Sequence, residues 1–362
     1  MNENLIKKIN GLLTNIVSQT KENPEDSINK INTVEKELDG IVAEGTEDRL
    51  FIESNIYEAK GDVYVQCRKP ANAEMEYGTM LEKSRQLYMN DKENHSYTFA
   101  KSARKCAALY ELLLGINHTV PLPRPLSESD NKLLDKAEML HKQAIGATYK
   151  GGTTVDAKIV RLHADSYYKI GCIYSLRNQL PQAEEYFANS MELGRAMFNA
   201  LRTKEQSYLA SRSESTLNVV YMLQKKNAEA VEHNKKVAQR LKEIEPTDPA
   251  FFGRQVAMAH LTTAKSYSEL EDGKMNAIEE YMTALEKMAK VNEIAEKKFT
   301  EDVIMFSIAV GDFYKRQNMP ANATAYYNNA VWHIRELPEG KCSASCKNAL
   351  DRITGKVKKE KE

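Results

Sequence analysis

The residues able to carry chemistry are few, and their spacing does not gather them. Five cysteines, Cys67, Cys106, Cys172, Cys342 and Cys346, are scattered and odd in number. That fits reduced, mostly buried thiols better than a disulfide framework. Cys342-x-x-x-Cys346 sets two thiols one helical turn apart. As a metal pair it lacks a nearby histidine or a second cysteine pair, so the favoured reading is an i, i+4 coincidence in an end segment. The seven histidines do not pair at metal-ligand spacing, and His141 and His163 stand beside apolar positions as core or groove polar residues do. Glu184-Glu185 and Glu279-Glu280 read as solvated helix faces, not paired catalytic carboxylates. Phosphate-loop, dinucleotide, zinc-protease and nucleophile-elbow motifs are absent. Gly151-Gly152 lacks the lysine and hydroxyl residue of a phosphate loop and reads as a turn between helices. The expectation is a non-enzymatic protein with no cofactor and no metal.

The elements that position these side chains announce themselves through a repeated phrase. Gly61-x-x-Tyr64 precedes Ala73-x-x-x-Tyr77, Gly171-x-x-Tyr174 precedes Ala183-x-x-x-Phe187, and Gly311-x-x-Tyr314 precedes Ala323-x-x-x-Tyr327. The step from Gly to Ala is 12 residues each time. Weaker copies are anchored at Ala107, Asn218 and Ala264, so the anchors advance by 46, 64, 47, 46 and 47 residues. The long step holds a proline-rich insertion, 115–130, with Pro121, Pro123 and Pro125. Its alternating prolines enforce an extended path. Either it folds over the groove or docks a partner, or it is a neutral surface insertion of the kind loops tolerate cheaply.

Apolar residues recur at helical spacing, as in Ile6, Ile9, Leu13, Ile16 and Val17, and strand-like alternation is nearly absent. Pro70, Pro181 and Pro320 fall where a second helix would begin, a position at which the missing N–H costs nothing. The spacing predicts helical hairpins over 3–20 and 25–43, 47–68 and 70–89, 94–114 and 129–148, 155–178 and 180–200, 203–225 and 227–244, 249–271 and 274–296, and 299–317 and 320–336, with a short piece at 343–354. Small residues on one helix and aromatics on its neighbour let the two interlock. One hairpin cannot bury its apolar stripe alone, and stacked neighbours do it.

Composition sets outer bounds. The 362 residues are 42% hydrophobic, enough for a core, and 51 basic residues cancel 51 acidic ones. That balance argues against a general nucleic-acid binder. The N-terminal residues do not read as a targeting peptide, and no apolar run is long enough to span a membrane, so a cytoplasmic protein away from the membrane is expected.

The small-x-x-Tyr, Ala-x-x-x-aromatic pattern resembles the tetratricopeptide repeat (TPR)-like superfamily, in a divergent long-repeat form. The likeness covers about residues 51–337 in six units. A standard repeat has about 34 residues. The extra dozen residues here lengthen each helix by roughly 9 Å. The Trp usual at the start of the first helix is replaced by Tyr57, Tyr167 and Ser307 in the three clear units. The resemblance implies an all-α, right-handed superhelical stack of about seven antiparallel helical hairpins. It divides the chain into an N-terminal hairpin or cap (1–45), a repeat array (46–337) and a C-terminal capping segment with a charged tail (338–362).

In such stacks the first helices line a concave groove. Carried onto this register, the groove holds Lys101, Arg104 and Lys105, then Tyr168, Lys169, Cys172 and Ser175, then Arg212, with Met222, Leu261, Lys265, Ile308, Asp312 and Lys315 further on. The second hairpin brings Asn55, Glu58, Asp62 and Gln66, an acidic end. The first-choice ligand-binding set is Lys101, Arg104, Lys105, Tyr168, Lys169 and Arg212, with Arg104 placed for a bidentate contact to a planar anion. Glu58 and Asp62, Arg104 and Ala108, and Tyr168 and Cys172 do not match the lysine and asparagine set of the carboxylate-clamp subgroup. The expected function is a protein-interaction scaffold holding a peptide or protein segment, acidic or phosphorylated, in the groove. The alternatives are a peptide-sensing regulatory protein and a non-catalytic subunit of an enzyme complex.

Overall fold

The computed structural model describes residues 3–20, 24–116, 121–149, 156–201, 203–337 and 342–355. Gly151-Gly152, part of the proline-rich insertion (117–120) and the charged tail from 356 on lie outside the described residues. The described residues are mostly helical and hold no strand. The chain divides into two compact units, Met1–Leu217 and Asn218–Glu362.

The first unit contains α1 (Glu3–Ser18), α2 (Glu25–Leu38), α3 (Glu47–Gln66), α4 (Pro70–Asn90), α5 (Lys92–Leu113), α6 (Glu128–Thr148), α7 (Ala157–Leu176), α8 (Leu180–Leu201) and most of α9 (Lys204–Leu223). The second begins in the last turns of α9 and continues through α10 (Asn227–Ile244), α11 (Pro249–Tyr267), α12 (Lys274–Ile294), α13 (Thr300–Arg316), α14 (Pro320–His333) and α15 (Ala344–Ile353). Within each unit successive helices pair as antiparallel hairpins, as the spacing predicts.

Local chemistry sets the helix ends. Thr46, Asp91, Asp156, Asp248 and Ser343 accept hydrogen bonds from the first backbone N–H groups of the helices they precede. Ser127 and Asp130 form a reciprocal capping box at the start of α6. Pro70 and Pro320 open α4 and α14. Within the hairpins, Arg68, Asn178, Lys225 and Asn318 take left-handed conformations with φ between 55° and 58°. The next residue's N–H then donates to the carbonyl of the phrase tyrosine, as from Lys69 to Tyr64 at 2.9 Å and from Met319 to Tyr314 at 2.9 Å. This bond closes the last helical turn in a Schellman arrangement. The α11–α12 turn carries one more residue and ends at Gly273, where a side chain would run into the carbonyl of Tyr267.

The repeated phrase is a contact. The Phe187 ring lies on the bare backbone of Gly171, so that a Cβ there would stand 2.6 Å from it. Tyr77 and Tyr327 lie in the same way on Gly61 and Gly311. In the other hairpins the pair changes but keeps its place. Asn234 donates to Asn218 at 2.7 Å, and Ala264 packs in the same core cluster as Tyr281. Ala73, Ala137, Ala183, Ala230 and Ala277 on the second helices are fully buried. A buried ring of this size stabilises by about 1.5–3 kcal/mol through area alone.

The first hairpin lacks the phrase and packs differently. Ile6, Ile9, Leu13, Ile31 and Leu38 share one apolar cluster with Ile52, Ile56, Ala59 and Val63 of α3.

Adding one methyl group at Gly171 is expected to destabilise the fold by about 1–3 kcal/mol, because the enclosed Phe187 ring has no room to retreat. Gly78, exposed in mid-α4 with nothing near its Cβ position, is the control. Gly78→Ala is expected to stabilise by about 0.5–1 kcal/mol through helix propensity. Chemical denaturation of both variants checks this pair of opposite signs.

Candidate functional site

The cations selected from the sequence come together on the first helices of the first unit, and each is paired. Lys101 of α5 meets Glu58 of α3 at 2.8 Å. Lys105 meets Asp62 at 2.7 Å. Arg104 of α5 and Arg212 of α9 converge on Asp165 of α7, at 3.2 and 2.9 Å. Lys169 of α7 reaches back to Glu111 of α5 at 2.8 Å. The row is therefore a ladder of ion pairs that ties each first helix to the next. The acids facing the row cancel most of its charge. Lys101 is the most exposed cation, at 54%. The Nε groups of Arg104 and Arg212 are buried and make no hydrogen bond.

Tyr168 plays a different part from the one its spacing suggested. Its ring is 1% exposed, beside Phe187, with the Arg212 guanidinium 3.9 Å above its centroid. It supports Arg212 from below and is closed to a ligand. Cys172 and Ser175 are buried too, and Ser175 donates to the carbonyl of Pro121 at 2.8 Å. The described end of the proline-rich insertion thus lies against α7.

Glu111 is the most enclosed acid of the ladder. His141 of α6 contacts it at 2.5 Å from one side and Lys169 from the other. Burial alone would push its pKa up, but the hydrogen bond and charge of His141, with Lys169, hold it down at about 2. Burial raises Cys106 and Cys172 to about 12, the opposite of what activates a nucleophilic thiol.

A cleft of about 520 Å³ opens between α1 and α3, lined by Asn10, Thr14, Asn55, Glu58, Asp62, Gln66 and Lys101. This is the acidic end expected from the second hairpin. Asp62 also accepts a hydrogen bond from Tyr77 at 2.5 Å.

The second unit holds a larger cleft, of about 690 Å³, between α11 and α13 with α15 at its side. Met222, Met258, Leu261, Met305, Phe306 and Ile308 give it an apolar floor. Its acids are engaged: Asp302 takes both arms of Arg254 at 2.6 and 3.0 Å. Asp312 accepts from Arg352 at 2.7 Å and from Tyr327 at 2.8 Å. Glu269 pairs with Arg316 at 3.3 Å. Lys265 differs, since its ammonium has no hydrogen-bond or ion-pair partner among the described residues. Burial lowers its pKa, as does the charge of Arg316, against an opposing pull from Asp312. Lys315 lines the same cleft without an ion pair among the described residues.

Lys265, Ile308, Asp312 and Lys315 were legible from the register as groove positions. Their separation from the paired row was not, because pairing depends on acids 43–61 residues away in sequence. Arg352 was missed altogether. It sits on the end helix, outside the repeat phrase, and no spacing points to it.

No protein-family model matches the chain, and no curated protein matches it in sequence. Among solved structures, the apo form of RapI aligns over 97% of this chain and 82% of that one, with 16% identity and a TM-score of 0.53. BtubC (BKLC) from P. vanneervenii aligns over 92% and 96%, with 15% identity and a TM-score of 0.43. The fold is all-α and TPR-like. No described helix is long and apolar enough to cross a membrane.

Glu111 is expected to make the first unit acid-sensitive. An unfolded-chain glutamate protonates near 4.5 and the folded one near 2. Its stabilisation is therefore complete above the ordinary value and is lost as pH falls from there through about 2. Glu111→Gln should lower stability at neutral pH by about 1–3 kcal/mol and flatten the acid limb of the stability profile. Denaturant titrations at a series of pH values read both effects.

Proposed function

We propose that this protein is a non-enzymatic interaction scaffold that takes a peptide or protein segment on the first-helix faces of its repeats. The principal contact is assigned to the cleft of the second unit. One observation carries the assignment: Lys265 is a largely buried ammonium without a partner among the described residues, set above an apolar floor. Withholding a counter-charge from such a group costs stability, and a ligand acid would supply it. The methionines beside it suit a surface that repacks around apolar side chains. The ligand class is thus an extended segment carrying an acidic or phosphorylated residue next to apolar ones.

Lys101, Arg104, Lys105, Lys169 and Arg212, with Tyr168 beneath Arg212, are assigned chiefly to bonding between hairpins. Within that set Lys101 is exposed enough to meet a ligand directly. A ligand acid there has to compete with Glu58, Asp62 and Asp165. In the second unit no described acid pairs with Lys265, and only the more distant pull of Asp312 competes.

The two faces separate in a pull-down read by mass spectrometry, comparing wild type, Lys265→Glu, and Lys101→Glu with Arg104→Glu. Lys265→Glu is expected to weaken capture of the main partner by about 10–100-fold, the worth of a charge-assisted hydrogen bond. The double variant is expected to lower thermal stability with a smaller effect on capture. Phosphatase treatment of the lysate distinguishes a phosphate from a carboxylate. Partners retained by both variants, at unchanged affinity and salt dependence, would sink the reading.

A further inference from the structure

We propose that Glu301, Cys342 and Cys346 form a binding site for a zinc-type divalent cation, which locks the end helix α15 onto α13. Glu301 stands in the first turn of α13, Cys342 just before the cap of α15, and Cys346 one turn into that helix. A carboxylate oxygen and the two sulfurs lie within 4.8 Å of one another. The segment is held in place: the Ser343 N–H donates to Glu301 at 2.5 Å, and the Ser343 hydroxyl caps the N–H of Cys346 at 3.2 Å. The sequence held only the two thiols of this set. The fold adds the third ligand from 41 residues upstream of Cys342.

The donor set selects the ion. Two sulfurs and one carboxylate favour zinc over magnesium or calcium, which prefer all-oxygen shells. A tetrahedral ion with Zn–S bonds of about 2.3 Å holds its ligand atoms roughly 3.8 Å apart. The observed spread closes to that with side-chain rotation of about an ångström, leaving a fourth position for water.

Glu301 has no ion pair among the described residues. Thiol ligands must lose their protons to bind a cation, so binding is expected to strengthen as pH rises. The consequence reaches the cleft of the second unit. Cys346 and Leu350 pack on Ile304 and Ile308, and Arg352 at the far end of α15 pairs with Asp312. A cation at the near end would fix α15 as a wall of that cleft, whatever the cleft binds.

The test uses the full chain, reduced, stripped with a chelator and titrated with Co²⁺. The expected result is a thiolate-to-cobalt charge-transfer band that saturates at one equivalent and is displaced by Zn²⁺ but not Mg²⁺. Cys342→Ser and Glu301→Gln should each weaken binding by roughly tenfold or more, while Cys67→Ser changes nothing. Zn²⁺ should also slow proteolysis within residues 342–355 of wild type and not of Cys342→Ser. That variant keeps the buried Cys346, so its fold is preserved. Absence of the band from the reduced, folded chain overturns the proposal, as does a band that persists unchanged in Cys342→Ser.

Discussion

An aromatic ring resting on a glycine backbone is the contact on which the rest of this molecule depends. It requires a residue without a side chain on one helix and a flat ring on the next. It brings the two axes of a hairpin close enough for the second-helix alanine to be buried as well. Asp62 and Tyr77 add a hydrogen bond from the ring edge, and Asp312 and Tyr327 repeat it. In the α7–α8 hairpin the same positions hold Cys172 and Phe187, so donor and acceptor are lost together. Nothing polar is left unsatisfied there, which is the condition for removing a buried hydrogen bond at little cost. The Asn218–Asn234 pair solves the same site by another route, with two amides in place of ring and glycine.

Stacking hairpins then sets a second constraint, which is charge. Long first helices lie side by side and bring rows of lysine, arginine, aspartate and glutamate into contact. In the first unit these rows interlock from α3 to α9. On the other side of the hairpins, Tyr110 and Tyr174 donate to Glu74 and Glu138 of the preceding second helices, each at 2.8 Å. Exposed rungs such as Lys101–Glu58 contribute little each. Enclosed ones such as Glu111 with His141 and Lys169 fix register, because breaking one strands a buried charge.

The pairing is incomplete in the cleft of the second unit. Lys265 replaces, at the position after the anchor, the aspartate found in the α3–α4 and α13–α14 hairpins. The substitution turns an internal hydrogen-bond site into an ammonium with no partner among the described residues, above methionine and phenylalanine. α15 closes the side of the same cleft through Arg352.

Much of this was legible in the sequence. The all-α class, the hairpin limits to within a few residues and the facing pairs followed from periodicity and from the recurrence of Gly, Tyr and Ala. Those signals are local or repeat at a fixed interval. The candidate site was legible only as a list of residues on one face. Whether Lys101, Arg104, Lys105, Lys169 and Arg212 were free or paired depended on Glu58, Asp62, Glu111 and Asp165, contributed by neighbouring hairpins. That Tyr168 lies beneath a guanidinium, that Lys265 has no partner among the described residues, and that Glu301 joins Cys342 and Cys346 were likewise decided by packing. Sequence periodicity determines which face of a helix a side chain occupies. Only the tertiary structure decides which opposite charge or ligand atom faces it, because that partner comes from another helix whose offset is set by the close packing of rings on glycines.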